Sequence, residues 1–134
     1  MNDLAAMIDA ARRARANAYA PYSGFAVGAC VKAESGRLYD GCNVENAAYP
    51  QGLCAEAVAI GAMVAAGETR IREVAVMAGG EGLCAPCGGC RQRLSEFAGP
   101  EVPVHLCGPE GLRRTVTLGE LLPLPFSRAR LGKG

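Results

Sequence analysis

Leu4, Met7, Ile8, Ala11 and Ala14 recur at helical spacing with Arg12, Arg13 and Arg15 between them, so the pattern predicts an amphipathic helix over 3–18, stopped by Pro21. A small-residue and β-branched stretch follows at 25–33. The turn residues Glu34-Ser35-Gly36 separate it from a second extended run at 37–44, and the two together predict a β-hairpin. Beyond Gly52, residues 54–66 are apolar almost all round, with Ala55, Ala57, Val58, Ile60, Met63 and Val64, as expected for a helix buried on most faces; Gly67 is a suitable stop. Residues 71–78 form a short apolar run that reads as a central strand. A glycine-rich loop leads to Pro86, and the helix formers beyond it predict a third helix over 87–97 that begins at or next to Cys87. Two last strands are expected at 102–107 and 112–117. Only Gly108-Pro109-Glu110-Gly111 separates them, too little for a parallel crossover, so they should be antiparallel.

The order α-β-β-α-β-α-β-β points to an α/β fold: one mixed five-stranded sheet between helical layers, its last two strands antiparallel. A chain of 134 residues without repeats or a linker fits a single domain, expected over 1–126. Residues 127–134 hold Arg128, Arg130 and Lys133 with little to bury, and are expected to be a disordered tail. A formal net charge of +1 provides no field for a phosphate backbone, which argues against a nucleic-acid polymer as partner. A membrane is not expected either. The longest apolar run, 57–67, is about half of the roughly 20 residues needed to span a bilayer, and Asp3 and Asp9 do not suit a secretion signal.

Cysteine usage changes the picture. An odd count of seven argues against a disulfide framework and for reduced thiols in the cytoplasm. Cys30, Cys42 and Cys107 stand singly in strand-like stretches and are expected to be small buried hydrophobes. The others sit differently: Cys54-Ala55-Glu56 opens one helix and Pro86-Cys87-Gly88-Gly89-Cys90 opens another. A helix N-terminus lowers a thiol's pKa and favours the thiolate that zinc requires. Cys87 and Cys90, three apart, share a helix face and can hold one ion at zinc–sulfur distances of about 2.3 Å, with Cys54 as a third ligand. The only histidine, His105, lies in an outer strand. Three protein ligands leave a position open for water, the mark of catalytic zinc. Cys84 as a fourth thiolate would instead make a structural site, but would leave Glu56 unexplained. From the helix start Glu56 can reach toward the open position as a general base; the alternative is a carboxylate that merely complements the helix dipole.

At this point the residues resemble a known family. Cys54-Ala55-Glu56 with Pro86-Cys87-x-x-Cys90 is similar to the zinc deaminase signature in its three-cysteine form. Residues 21–29 (PYSGFAVGA), 43–49 (NVENAAY), 87–92 (CGGCRQ) and 120–123 (ELLP) resemble the small cytidine deaminases that act on free nucleosides, a likeness that extends to Phe126. The resemblance implies a three-layer α/β/α cytidine deaminase-like fold with one Zn²⁺ per subunit on Cys54, Cys87 and Cys90. It implies hydrolytic deamination of cytidine and deoxycytidine to uridine and deoxyuridine, a pyrimidine-salvage reaction that releases ammonia. Glu56 would shuttle protons to N3 and then to the departing amino group, and Asn43 and Glu45 would bind the ribose hydroxyls. Phe25 would lie beside the substrate, Ala55 would contribute a backbone group, and Phe126 would close a neighbour's pocket in a homotetramer.

Bottom-up readings stand beside these. Asn43 and Glu45, two apart in an extended segment, share a side; otherwise they are a turn residue and a solvated charge. An acidic Glu45 near the sugar would disfavour a charged nucleotide. Phe25 could be core, and Phe126 local packing. One departure from the family concerns charge: many three-cysteine relatives carry an arginine directly after the glutamate, where this chain has Ala57. Helix N-termini and Arg91 are expected to take over part of that compensation. Ala57 also leaves open a deaminase of another aminopyrimidine, such as a blasticidin-like nucleoside. A non-catalytic zinc-binding module is a further alternative, which the intact Glu56 disfavours.

Overall fold

Alternate residues of the same strands fill two apolar layers, one on each face of a single sheet. The computed structural model describes residues 3–132. The chain runs through α1 (Asp3–Ala16), β1 (Val27–Ala33), β2 (Leu38–Cys42), α2 (Ala55–Ala65), β3 (Ile71–Ala78), α3 (Gly88–Phe97), β4 (Pro103–Gly108), β5 (Gly111–Thr117) and the single turn α4 (Leu118–Leu121). The strand order is β2-β1-β3-β4-β5. Every neighbouring pair is antiparallel except β3–β4, joined through α3 as a βαβ unit. The expected mixed five-stranded sheet with an antiparallel final pair is therefore present, and β3 is its centre. Ala29, Val31, Val74, Val76, Val104 and Leu106 point to the side covered by α2 and α3. Cys30, Ala75, Met77 and Cys107 point to the other, against Met7, Ala10 and Ala11 of α1.

Two glycines set how close the helices come. A Cβ on Gly28 of β1 would lie 2.0 Å from the Ala11 carbonyl oxygen, and one on Gly41 of β2 would lie 2.6 Å from the Ala59 amide nitrogen. Bare backbone at those points lets α1 rest on one face and α2 on the other. Cys30 and Cys107 are buried as expected, and burial pushes the Cys30 thiol up to about 12. Cys42 is only half-buried, because it ends an edge strand. His105 lies on the α1 side of β4, where it shares hydrogen bonds with Glu73 (2.6 Å) and Thr115 (2.8 Å). Burial alone would raise the Glu73 carboxyl, but Lys32, at 2.7 Å, and His105 hold it below the usual range.

The expectation that the second helix is buried on most faces is corrected. Ala55, Glu56, Ala59, Ile60 and Met63 are buried, whereas Gly61, Ala62, Val64 and Ala65 are exposed, because the sheet covers one face of α2 and none of the described residues covers the opposite one. Short elements were also absent from the hydrophobic pattern: 3-10 turns at Tyr49–Gln51 and Arg128–Leu131, and α4, which Thr117 and Glu120 start with a reciprocal capping box. Of the stretch 127–134 expected to be disordered, residues 128–131 thus form a turn that ends at Gly132 in the left-handed conformation; residues 133–134 lie outside the described residues.

Gly28→Ala and Gly41→Ala should each lower unfolding free energy in urea by about 1–3 kcal/mol, since helix backbone must move to admit the methyl group.

Candidate active site and metal centre

After β2 the chain stays extended through Asn43, Val44 and Glu45, because Val44 exchanges backbone hydrogen bonds with Leu53 while Asn43 and Glu45 bond to Tyr19. Asn43 and Glu45 therefore face the same way, into a cleft of about 440 Å³ whose walls also include Phe25, Ala55 and Glu56. Both polar side chains are held by main chain. Asn43 Nδ2 donates to Phe25 O at 2.8 Å and its Oδ1 accepts from Val27 N at 2.9 Å. Glu45 accepts from Tyr22 N (2.9 Å), Ser23 N (3.1 Å) and the Ser23 hydroxyl, and those bonds, the hydroxyl's above all, hold its carboxyl below the usual range.

Two helices begin at the floor of the cleft. Cys54 is the N-cap of α2 and Cys87 the N-cap of α3, and neither side chain caps its own helix, so both sulfurs stay available. Cys90 lies in the first turn of α3. The three sulfurs lie within 4.8 Å of one another, with Cys54 and Cys87 at 4.0 Å. Tetrahedral zinc with bonds of about 2.3 Å separates its sulfurs by about 3.8 Å, so the donor set fits this ion. The Cys84 sulfur is not part of the group, although Cys84 lines the cleft.

The acid–base state of the cluster differs from the simple helix-dipole expectation. The Cys90 backbone N–H lowers the Cys87 thiol, but burial outweighs that effect at Cys54 and Cys90 and raises both. Three neighbouring thiolates repel one another, and a dication among them supplies the missing charge. Beside them Glu56, in the first turn of α2, is only 4% exposed, and burial pushes its carboxyl up. Ala55 is buried at the first helical position, where its N–H has no intrahelical acceptor.

Phe25 lines the cleft, so it is wall and not core. Phe126 does not reach the cleft of its own chain. It is 58% exposed, and Gln92 clamps its backbone, donating to Phe126 O at 2.7 Å and accepting from Phe126 N at 3.1 Å. Arg91, expected to compensate the sulfurs, instead donates to Pro86 O (2.8 Å) and Leu121 O (2.9 Å). As the neighbour of Cys90 in sequence it projects from another side of α3. Arg93, three residues after Cys90, is the one in contact, with Nη1 3.6 Å from Cys90 Sγ. Helical spacing from Cys90 could have singled it out, whereas the role of Ser23 required the fold to bring residues 22–23 to Glu45.

Residues 1–106 match the model of the cytidine and deoxycytidylate deaminase zinc-binding region. A cytidine deaminase of Sporosarcina psychrophila is 42% identical over 96% of this chain and 95% of its own length. The crystal structure of cytidine deaminase from Burkholderia pseudomallei superposes with a TM-score of 0.86 at 43% identity, covering 91% of this chain and 98% of the other. That of the Mycobacterium tuberculosis cytidine deaminase gives 0.81 at 40% identity, covering 94% and 98%.

Cys54→Ser, Cys87→Ser and Cys90→Ser should each strip most of the metal from purified protein, and Cys84→Ser should keep the parent's content, as read by elemental analysis. Chelation should lower the melting temperature of the parent and leave the three ligand variants nearly unaffected.

Proposed function

The chain belongs to the cytidine and deoxycytidylate deaminase family, and on that footing we propose that it is a zinc-dependent hydrolase converting free cytidine and deoxycytidine to uridine and deoxyuridine with release of ammonia. The observation that carries the reading is the convergence of three cysteine sulfurs with the buried carboxylate of Glu56 in one cleft. Cys54, Cys87 and Cys90 would hold one zinc per subunit. When bound, the ion supplies Lewis-acid activation of the attacking water.

The residues of the chain do the rest. Glu56 takes a proton from the water as its oxygen bonds to C4, delivers it to N3 of the pyrimidine, and carries the next to the amino nitrogen as the C4–N bond breaks and ammonia leaves. Burial suits it to the first of these transfers, since it strengthens the carboxylate as a base. Ala55 offers its unpaired N–H to the base. Phe25 packs an apolar face against the base or sugar. Asn43 and Glu45 bond the ribose hydroxyls from one side, oriented by the backbone of residues 22–27 before any substrate arrives. A carboxylate at the sugar repels a phosphorylated substrate, which favours the free nucleoside.

Residues 1–126 make up the deaminase domain in this reading, and the assembly is a homotetramer. The small-residue face of α2 and the exposed Phe126, which is not part of its own chain's cleft lining, support subunit contacts. Thiols kept reduced for the metal suit the cytoplasm, where a salvage enzyme meets free nucleosides.

Zinc-replete protein should turn over cytidine and deoxycytidine, and act far more slowly on cytosine, which lacks the sugar, and on cytidine monophosphate. Glu56→Gln should lower kcat by at least about 10²-fold while zinc content stays at the parent's level. A zinc-replete parent that leaves both nucleosides unchanged would overturn the assignment, and turnover of a blasticidin-like nucleoside in their place would redirect it.

A further inference from the structure

Three thiolates around a dication leave a net negative charge at the Cys54, Cys87 and Cys90 centre, and that surplus weakens the metal as an electrophile. The starts of α2 and α3 offset part of it with their N–H groups. A full positive charge has to come from a side chain. On α2 the position three residues after Cys54 is Ala57, which carries none. On α3 the position three residues after Cys90 is Arg93, whose Nη1 lies 3.6 Å from Cys90 Sγ. Arg91 is occupied by the carbonyl oxygens of Pro86 and Leu121.

We propose that Arg93 is a positioning residue of the metal centre, donating from its guanidinium to Cys90 Sγ and drawing charge from that sulfur so that the bound metal stays electrophilic. Two further features agree. A Cβ on Gly89 would lie 3.4 Å from Arg93 Nη1, which places the guanidinium along the first turn of α3. The contact also lies within one turn of α3, so it forms with the helix itself. Its outer side stays in water, which spares it the cost of a fully buried cation.

This inference rests on the metal-centre reading, and its test separates the two. Co²⁺-loaded parent, Arg93→Gln, Arg93→Lys and the double variant Ala57→Arg with Arg93→Gln would be compared by the thiolate-to-cobalt charge-transfer band, by zinc affinity in chelator competition, and by kcat and KM for cytidine. Arg93→Gln should move the band to longer wavelength, lower kcat roughly tenfold or more, leave zinc binding no weaker than in the parent, and change KM little. Arg93→Lys should shift the band less, because the charge remains. The double variant, with a guanidinium three residues after Cys54, should recover much of the parent's band position. An Arg93→Gln band at the parent's wavelength, or Arg93→Lys indistinguishable from Arg93→Gln, would overturn the role of Arg93, the latter by showing that packing and not charge matters. A parent that develops no thiolate–cobalt band would overturn the metal centre itself.

Discussion

Two helices start at one point, and the unsatisfied N–H groups of both converge on three sulfurs. The rest of the site follows from that junction. Cys54 and Cys87 occupy N-cap positions, so each sulfur is placed by the geometry of helix initiation and not by a flexible side chain alone. Glu56 lands beside them because it is in the first turn of α2, and Cys90 because it is in the first turn of α3. The junction in turn depends on the sheet: β3, the central strand, leads into α3, and Gly41 lets α2 settle against β2.

Burial and charge oppose each other at that junction. Desolvation raises Cys54, Cys90 and Glu56 together, so burial by itself opposes their ionisation. A dication reverses the balance, which couples metal binding to the charge state of every acidic group nearby. The side of the cleft that carries Asn43 and Glu45 has the opposite character. Asn43 and Glu45 already have backbone partners, and the cost of orienting them is met when the protein folds.

The outer surface of the same elements leaves apolar residues open to solvent. α2 presents Gly61, Ala62, Val64 and Ala65 to solvent, and Tyr49, at 75% exposure, stands at the rim of the cleft. Gln92 ties the backbone of Phe126 to α3, so the helix that carries two of the cysteines also fixes the departure of the C-terminal segment. Metal site, cleft and surface are thereby parts of one mechanical unit.

Local pattern determined a great deal. Hydrophobic periodicity located all five strands and the three long helices, and the spacing of Cys54, Cys87 and Cys90 at helix starts named the cluster before any coordinates. Those features are legible because helix and strand periods, caps and turn chemistry are encoded within a few residues of one another. Tertiary structure decided what depends on distant neighbours. It tied Arg91 to the carbonyl oxygen of Leu121, 30 residues away, and so took it from the sulfurs. It gave Glu45 the amides of residues 22–23, set Cys87 apart from Cys54 and Cys90 in acidity, and left one face of α2 uncovered. Burial and electrostatic surroundings are properties of the packed chain, and residues far apart in sequence create them.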